Sequence, residues 1–203
     1  MIASNQELEY KFLLSQDDFY NLQSYFSKNY VGSNIIQTNY YFDTDDLSLL
    51  KKGITLRLRN THENYELTIK KKMQTDNMTR SEEKTIVIDK ETAFKILLQS
   101  QIPKELHIYI ENNNLTDYRL LGSLTTLRTK FNMDNFIVCL DKNIFLSKVD
   151  YEVEIEIKSE EDFPVEKILN KVLQNAKDTL VSSVGNGKYS RFITSLTSLC
   201  KEI

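Results

Sequence analysis

Charged and apolar side chains alternate, residue by residue, through segment after segment of this chain. Glu7, Glu9 and Lys11 interleave with Leu8, Tyr10 and Phe12. Arg57 and Arg59 interleave with Leu56 and Leu58, and Glu66, Thr68 and Lys70 with Tyr65, Leu67 and Ile69. Arg80, Glu82 and Lys84 share one parity. Arg128 and Lys130 flank apolar neighbours, and Glu152, Glu154 and Glu156 alternate with Tyr151, Val153, Ile155 and Ile157. A period of two is the signature of a β-strand with two unlike faces. It predicts eight strands, over 5–13, 36–43, 54–60, 64–71, 80–89, 124–132, 135–142 and 150–158. Several are separated by only a few residues, which joins antiparallel neighbours, not parallel ones. Eight antiparallel strands with few edges to spare close into a barrel.

The sign of the charge says which face is inside. A solvated sheet face over a single core accounts for mixed charges. It does not account for three glutamates about 6.5–7 Å apart along one strand face, which repel unless a cation sits among them. Clustered arginines and lysines meet the same difficulty with the opposite sign. If the ionic faces line the barrel, a polyanion and a divalent cation balance them. The ligand expected is then a multiply charged phosphate chain gripped by Arg and Lys, with Mg²⁺ or Mn²⁺ held by Glu. Oxygen ligands without Cys/His spacing favour those metals over zinc.

The apolar faces then turn outward and require helices. Residues 16–28 are predicted helical, with Ser15 as N-cap and Phe19, Leu22, Tyr25 and Phe26 on one face. Further helices are expected over 90–112, split at Pro103, over 164–178 behind Pro164, and over 187–202. The fold class expected is α+β: an eight-stranded antiparallel closed barrel with helices packed outside, forming one domain over 1–203. That length is compatible with a single core.

Composition excludes several function classes. With 26 Lys+Arg against 29 Asp+Glu the net charge is −3, so a nucleic-acid partner is not expected. The five Gly and two Pro leave little room for a glycine-rich phosphate loop or a disordered linker. No apolar run reaches the roughly 18 residues of a membrane span, and the N-terminus has no secretory leader pattern. Two cysteines suit a reducing compartment, so a cytoplasmic protein is expected. Cys139 reads as a small buried strand residue. His62 falls in a hairpin turn and His107 in a packing helix, neither with a second ligand nearby. Ser182, Ser183, Gly185 and Gly187 read as a loop, and Lys71 and Lys72 as solvated lysines at a strand end.

The order of these motifs resembles the CYTH, or triphosphate tunnel metalloenzyme, superfamily. Glu7-Leu-Glu9-Tyr-Lys11 is similar to its ExExK signature. Gln37…Tyr41-Phe42-Asp43-Thr44, Gly53-Ile-Thr-Leu-Arg57-Leu-Arg59, Leu67-Thr-Ile-Lys70, Arg80-Ser-Glu82, Leu127-Arg128-Thr-Lys130, Leu140-Asp141 and Asp150-Tyr-Glu152-Val-Glu154-Ile-Glu156 continue the pattern. The resemblance implies a tunnel of eight antiparallel strands that binds triphosphates with divalent metal. It implies metal ligation by Glu7, Glu9, Glu152 and Glu154, with Glu82, Asp141 and Glu156 as further acidic contributors. It implies phosphate contacts from Lys11, Arg57, Arg59, Lys70, Arg80 and Arg128. Lys188 resembles a basic residue at the head of the family's last helix. Lys130 stands where arginine is common, which keeps the charge and loses the two-pronged grip. Lys84 is placed by alternation alone.

The expected activity is metal-dependent hydrolysis of inorganic tripolyphosphate or a nucleoside triphosphate. Two alternatives stand beside it: a class IV adenylate cyclase, and a non-catalytic module binding polyphosphate or a nucleotide. Retention of both acidic pairs favours chemistry, since holding a polyanion needs no carboxylates. A thiamine triphosphatase is disfavoured. The animal enzymes that resemble this family stack thiamine on a tryptophan two residues before the first tunnel arginine; that position is Thr55, and the chain has no Trp.

Overall fold

The first strand of the chain completes the barrel, lying between strands that come much later. The strands are β1 (Ile2–Leu14), β2 (Gly32–Thr44), β3 (Ile54–Thr61), β4 (Asn64–Met73), β5 (Thr79–Ile88), β6 (Tyr118–Asn132), β7 (Phe136–Phe145) and β8 (Lys148–Ile157). They close in the order β1-β5-β4-β3-β2-β6-β7-β8. Every neighbouring pair is antiparallel, with β1 hydrogen-bonded to β5 on one side and β8 on the other. The computed structural model describes residues 2–62, 64–73, 79–99, 102–104, 118–158 and 187–200. The expected closed antiparallel barrel with helices outside is the fold observed.

Among the described residues, two helices cover the barrel's apolar faces, a third packs on one end and a short one sits at a rim. Helix α1 (Gln16–Asn29) starts as its sequence predicts, the Ser15 hydroxyl accepting from the Asp18 amide at 3.1 Å. Its Phe19, Leu22 and Phe26 pack on Phe131, Val138, Leu140, Val153 and Ile155. Leu22 is fully buried there, so Leu22→Ala should cost roughly 2–5 kcal/mol. Helix α2 (Ser48–Lys51) is one turn after β2. Helix α3 (Lys90–Gln99) buries Ala93 and Ile96 against Leu56, Leu58, Leu67, Ile69 and Ile86. Helix α4 (Lys188–Leu199) places Tyr189, Phe192 and Ile193 on Tyr41, Leu124 and Phe145. Tyr41 and Leu124 belong to inward-facing rows of β2 and β6, so α4 closes one end of the barrel. The helix expected over 164–178, residues 105–112 of the 90–112 segment with His107 among them, and Ser182, Ser183 and Gly185 lie outside the described residues.

Two strands begin earlier than the alternation indicates. β2 starts at Gly32 rather than 36, because its first residues are polar on both faces and carry no pattern. β6 starts at Tyr118 rather than 124. Its first half holds Gly122, which reads as a breaker in sequence. In the fold Gly122 adopts φ 148° at a register shift opposite Tyr41 and Phe42. A Cβ there would lie 2.8 Å from Phe192 Cζ, so the missing side chain is what lets α4 dock.

Candidate active site

The barrel encloses a cavity of about 470 Å³. Of the residues the sequence nominated, β1 contributes Glu7, Glu9 and Lys11 to its wall, β3 Arg57 and Arg59, and β4 Lys70. β6 supplies Arg128 and Lys130, β8 Glu154 and Glu156, and α4 Lys188. Asp141 and Glu152 stand immediately behind that wall, at 0% and 1% exposure, and both touch Lys188. Their inward register follows from strand pairing: Arg128 lies opposite Asp141, Asp141 opposite Glu152, and Lys11 opposite Glu154.

β5 corrects the sequence reading. Glu7 lies opposite Ser81 and Lys70 opposite Glu83, so Ser81, Glu83 and Thr85 face inward. Arg80, Glu82 and Lys84 point to the outer side and are absent from the cavity wall. The charged run offered both parities. Ile86 and Ile88, both packed in the outer core under α3, carry the signal that decides it, since residues of their parity must face out. Glu83 takes the inner place, 8% exposed, with Lys70 at 2.8 Å and Arg57 at 3.4 Å. Lys72, read as a solvated strand-end lysine, also reaches the cavity wall, as do Gln37, Tyr41 and Tyr189.

One side of the cavity is an alternating lattice of charges. Lys11 lies 2.9 Å from Glu9 and 3.0 Å from Glu154. Lys70 reaches Glu7 at 2.7 Å and Glu9 at 3.3 Å. Arg128 grips Asp141 with two bonds of 2.7 Å, also pairs with Glu154, and reaches Glu156 at 3.3 Å. Lys188 pairs with Asp141 at 2.7 Å, Glu154 at 2.8 Å and Glu152. Arg191 holds the other oxygen of Glu152 at 2.8 Å and Asp150 at 2.8 Å.

Burial works against ionising Glu154 and Asp141, yet the cations prevail at both. Lys11, Lys188 and Arg128 hold the Glu154 carboxyl well below its usual range despite burial, and Lys188 and Arg128 lower Asp141 in the same way. Glu156 goes the other way: burial and the neighbouring Glu154 raise it. Burial pushes the Cys139 thiol far up, which removes it as a nucleophile. His62 occupies the β3–β4 turn, at φ 56°.

The opposite side is different. Arg59 lines the cavity with Nε bonded to Asn39 Oδ1 at 2.9 Å. Among the described residues no carboxylate lies within 4.0 Å of it. Burial and the nearby Arg57 and Arg128 guanidinium groups depress its pKa to about 10. Among the described residues, Gln37 Nε2, Asn39 Nδ2 and Arg57 Nε are buried donors with no acceptor. Unpaired donors beside a guanidinium that no carboxylate contacts make a wall ready for an anion.

The acidic side suits a hard cation. One oxygen each from Asp141, Glu152 and Glu154 lies within 4.8 Å of the others, and all three residues are buried. Carboxylate oxygens alone match Mg²⁺ or Mn²⁺. Glu7 and Glu9 add two more carboxylates on β1. Among the described residues no helix is long and apolar enough to cross a membrane.

Comparison with known proteins agrees with this geometry. The CYTH domain model matches residues 5–186, so the chain belongs to the CYTH domain family. YjbK of Bacillus subtilis (strain 168), named provisionally as a triphosphatase, is 29% identical over 153 residues, 74% of this chain and 76% of its own. A Bacillus halodurans protein described provisionally as an adenylate cyclase superimposes with TM-score 0.79 at 27% identity, covering 93% of this chain and 98% of that one. HpAC1 of Hippeastrum, for which a dominant triphosphatase activity is described, has the same fold, with TM-score 0.77 at 20% identity over 93% and 95% of the two chains.

Proposed function

We propose that this CYTH domain protein binds a linear triphosphate in its barrel and hydrolyses it with Mg²⁺ or Mn²⁺. The carrying observation is Arg59, a cavity-lining guanidinium with no carboxylate within ion-pair distance among the described residues, set beside the unpaired donors of Gln37, Asn39 and Arg57. A buried cation in that state is costly, and a phosphate oxygen relieves it. Among the described residues, eight Lys and Arg side chains line the cavity against five Glu, more cations than one phosphate group can contact. The names of YjbK and HpAC1 point the same way.

In this reading Arg57, Arg59, Lys130 and Arg128 bind successive phosphate groups and hold the chain in line. Asp141, Glu152, Glu154, Glu7 and Glu9 would hold the metal. When bound there, the metal would supply charge neutralisation to the phosphates and would lower the pKa of a water it binds. Glu156, whose affinity for a proton burial raises, stands at the cavity wall where it can hold or pass one. Lys11 and Lys70 fix the carboxylates so that they keep their geometry while the phosphate charge shifts. No covalent nucleophile is needed.

The likeness to the Bacillus halodurans protein keeps cyclisation as a second outcome. One assay separates the readings: orthophosphate, pyrophosphate and cyclic nucleotide released from tripolyphosphate and the nucleoside triphosphates, with each metal. Orthophosphate release from tripolyphosphate supports hydrolysis. Cyclic AMP with pyrophosphate from ATP supports the cyclase, and tight binding with no product supports a binding module.

A further inference from the structure

Lys188 occupies the place a divalent cation would take. Its ammonium lies 2.7 Å from Asp141 and 2.8 Å from Glu154 and pairs with Glu152, the same three carboxylates whose oxygens converge within 4.8 Å. The lysine is delivered from outside the barrel, at the first position of α4. It is not a loose surface side chain. Arg191, one helical turn on, pins α4 to β8 through Glu152 and Asp150. Tyr189, Phe192 and Ile193 bury the helix in the barrel end. Lys188 also lines the cavity, so its head group has space to move within it.

We propose that Lys188 is a resident counter-cation, and that a divalent metal enters the Asp141/Glu152/Glu154 box by displacing its ammonium. The inference rests on the proposed function, because it takes that box as the metal site. The charge logic is direct. Three buried carboxylates repel one another; Lys11 pairs with Glu154, Arg128 with Asp141 and Glu154, and Arg191 with Glu152, while Lys188 touches all three. A cation shared by all three lowers that repulsion. A metal and an ammonium cannot share one position. Lys188 therefore keeps the box assembled without metal, weakens metal binding while it stays, and is released into the cavity on loading.

The test measures Mn²⁺ binding without substrate, by electron paramagnetic resonance of the free ion, in the wild type and in Lys188→Met, Lys188→Arg and Lys130→Met. Lys188→Met should bind Mn²⁺ about tenfold more tightly or better, while Lys188→Arg should not. Lys130→Met removes an equal charge from the cavity wall outside the box and should change affinity by no more than about twofold. In the wild type, acetic anhydride should label Lys188 poorly without metal and several-fold faster with saturating Mn²⁺, read by peptide mass spectrometry. That second readout stands if Lys188→Met does not fold. Equal Mn²⁺ affinity in wild type and Lys188→Met, or labelling of Lys188 that ignores Mn²⁺, overturns the displacement and leaves the triphosphatase reading intact. Equal tightening by Lys130→Met overturns it too, because the effect would be a general field. Failure of every form to bind Mn²⁺, with tripolyphosphate present or absent, overturns both readings.

Discussion

The hydroxyl of Tyr189 donates a 2.6 Å hydrogen bond to Asp43, tying the residue next to Lys188 to the end of β2. Asp43 is fully buried and also accepts from the amides of Thr44, Leu49 and Leu50 at 2.7, 2.8 and 3.0 Å. One carboxylate thus caps α2 and anchors α4, the two elements at one end of the cavity. Tyr189→Phe removes the α4 tie and leaves the backbone donors in place. It should cost about 1–2 kcal/mol, lowering Tm by about 2–8 °C. Differential scanning calorimetry checks this, and an unchanged Tm would show that the bond contributes nothing to the docking of α4.

Two cavity arginines should respond in opposite ways to truncation. Arg59 has no carboxylate partner, so Arg59→Ala should leave ligand-free stability unchanged or improved. It should weaken tripolyphosphate binding by about 10- to 150-fold. Arg128 holds Asp141, Glu154 and Glu156, so Arg128→Ala strands buried charge and should destabilise the fold by roughly 3–5 kcal/mol. Urea unfolding and calorimetric titration measure the two effects separately. Equal destabilisation by both variants would contradict the division of the cavity into a paired and an unpaired side.

Acid should unpick the lattice in a defined direction. Burial opposes ionisation of Glu83, but Arg57 and Lys70 overcome it and lower its pKa from 4.5 to about 2. A depressed carboxyl contributes stability above its unfolded pKa and loses it as pH falls through the folded one. Glu83→Gln should therefore lower Tm at pH 7, with the gap to wild type closing between about pH 5 and pH 2. Thermal melts across that range decide the matter; a gap independent of pH would mean that Glu83 acts by packing and not by charge.

The metal side makes its own prediction. Glu154 joins Lys11, Arg128 and Lys188 and belongs to the carboxylate box. Glu154→Gln should abolish turnover of tripolyphosphate while the far-ultraviolet circular dichroism stays native. EDTA should do the same to the wild type, reversibly with Mg²⁺ or Mn²⁺. Wild-type turnover by Glu154→Gln with metal supplied would remove Glu154 from the site.

Most of the barrel and much of its charged lining were legible because strand periodicity ties every residue to a face. Glu7, Glu9, Lys11, Arg57, Arg59 and Glu154 sit in strands with one clean apolar parity, and all six reach the cavity. β5 failed where it did because Arg80 to Lys84 are polar at every position, and only Ile86 and Ile88 carry the parity. Gly122 hid the start of β6, since a glycine that admits Phe192 looks in sequence like one that ends a strand. Arg191 and Tyr189 were unreadable as site neighbours, because nothing local says where α4 docks. The coupling of Lys188 to three carboxylates on β7 and β8 is a product of closure, not of any segment's pattern.

A cavity that acts on a triphosphate through paired metal and cation sites, as proposed, has a direct kinetic signature. The most direct measurement is kcat/KM of the wild type for tripolyphosphate, pyrophosphate and p-nitrophenyl phosphate, with Mg²⁺ or Mn²⁺ and again in EDTA. The expected result is a strong preference for tripolyphosphate that disappears in EDTA. A preference for the monoester, or full tripolyphosphate turnover in EDTA, would contradict it.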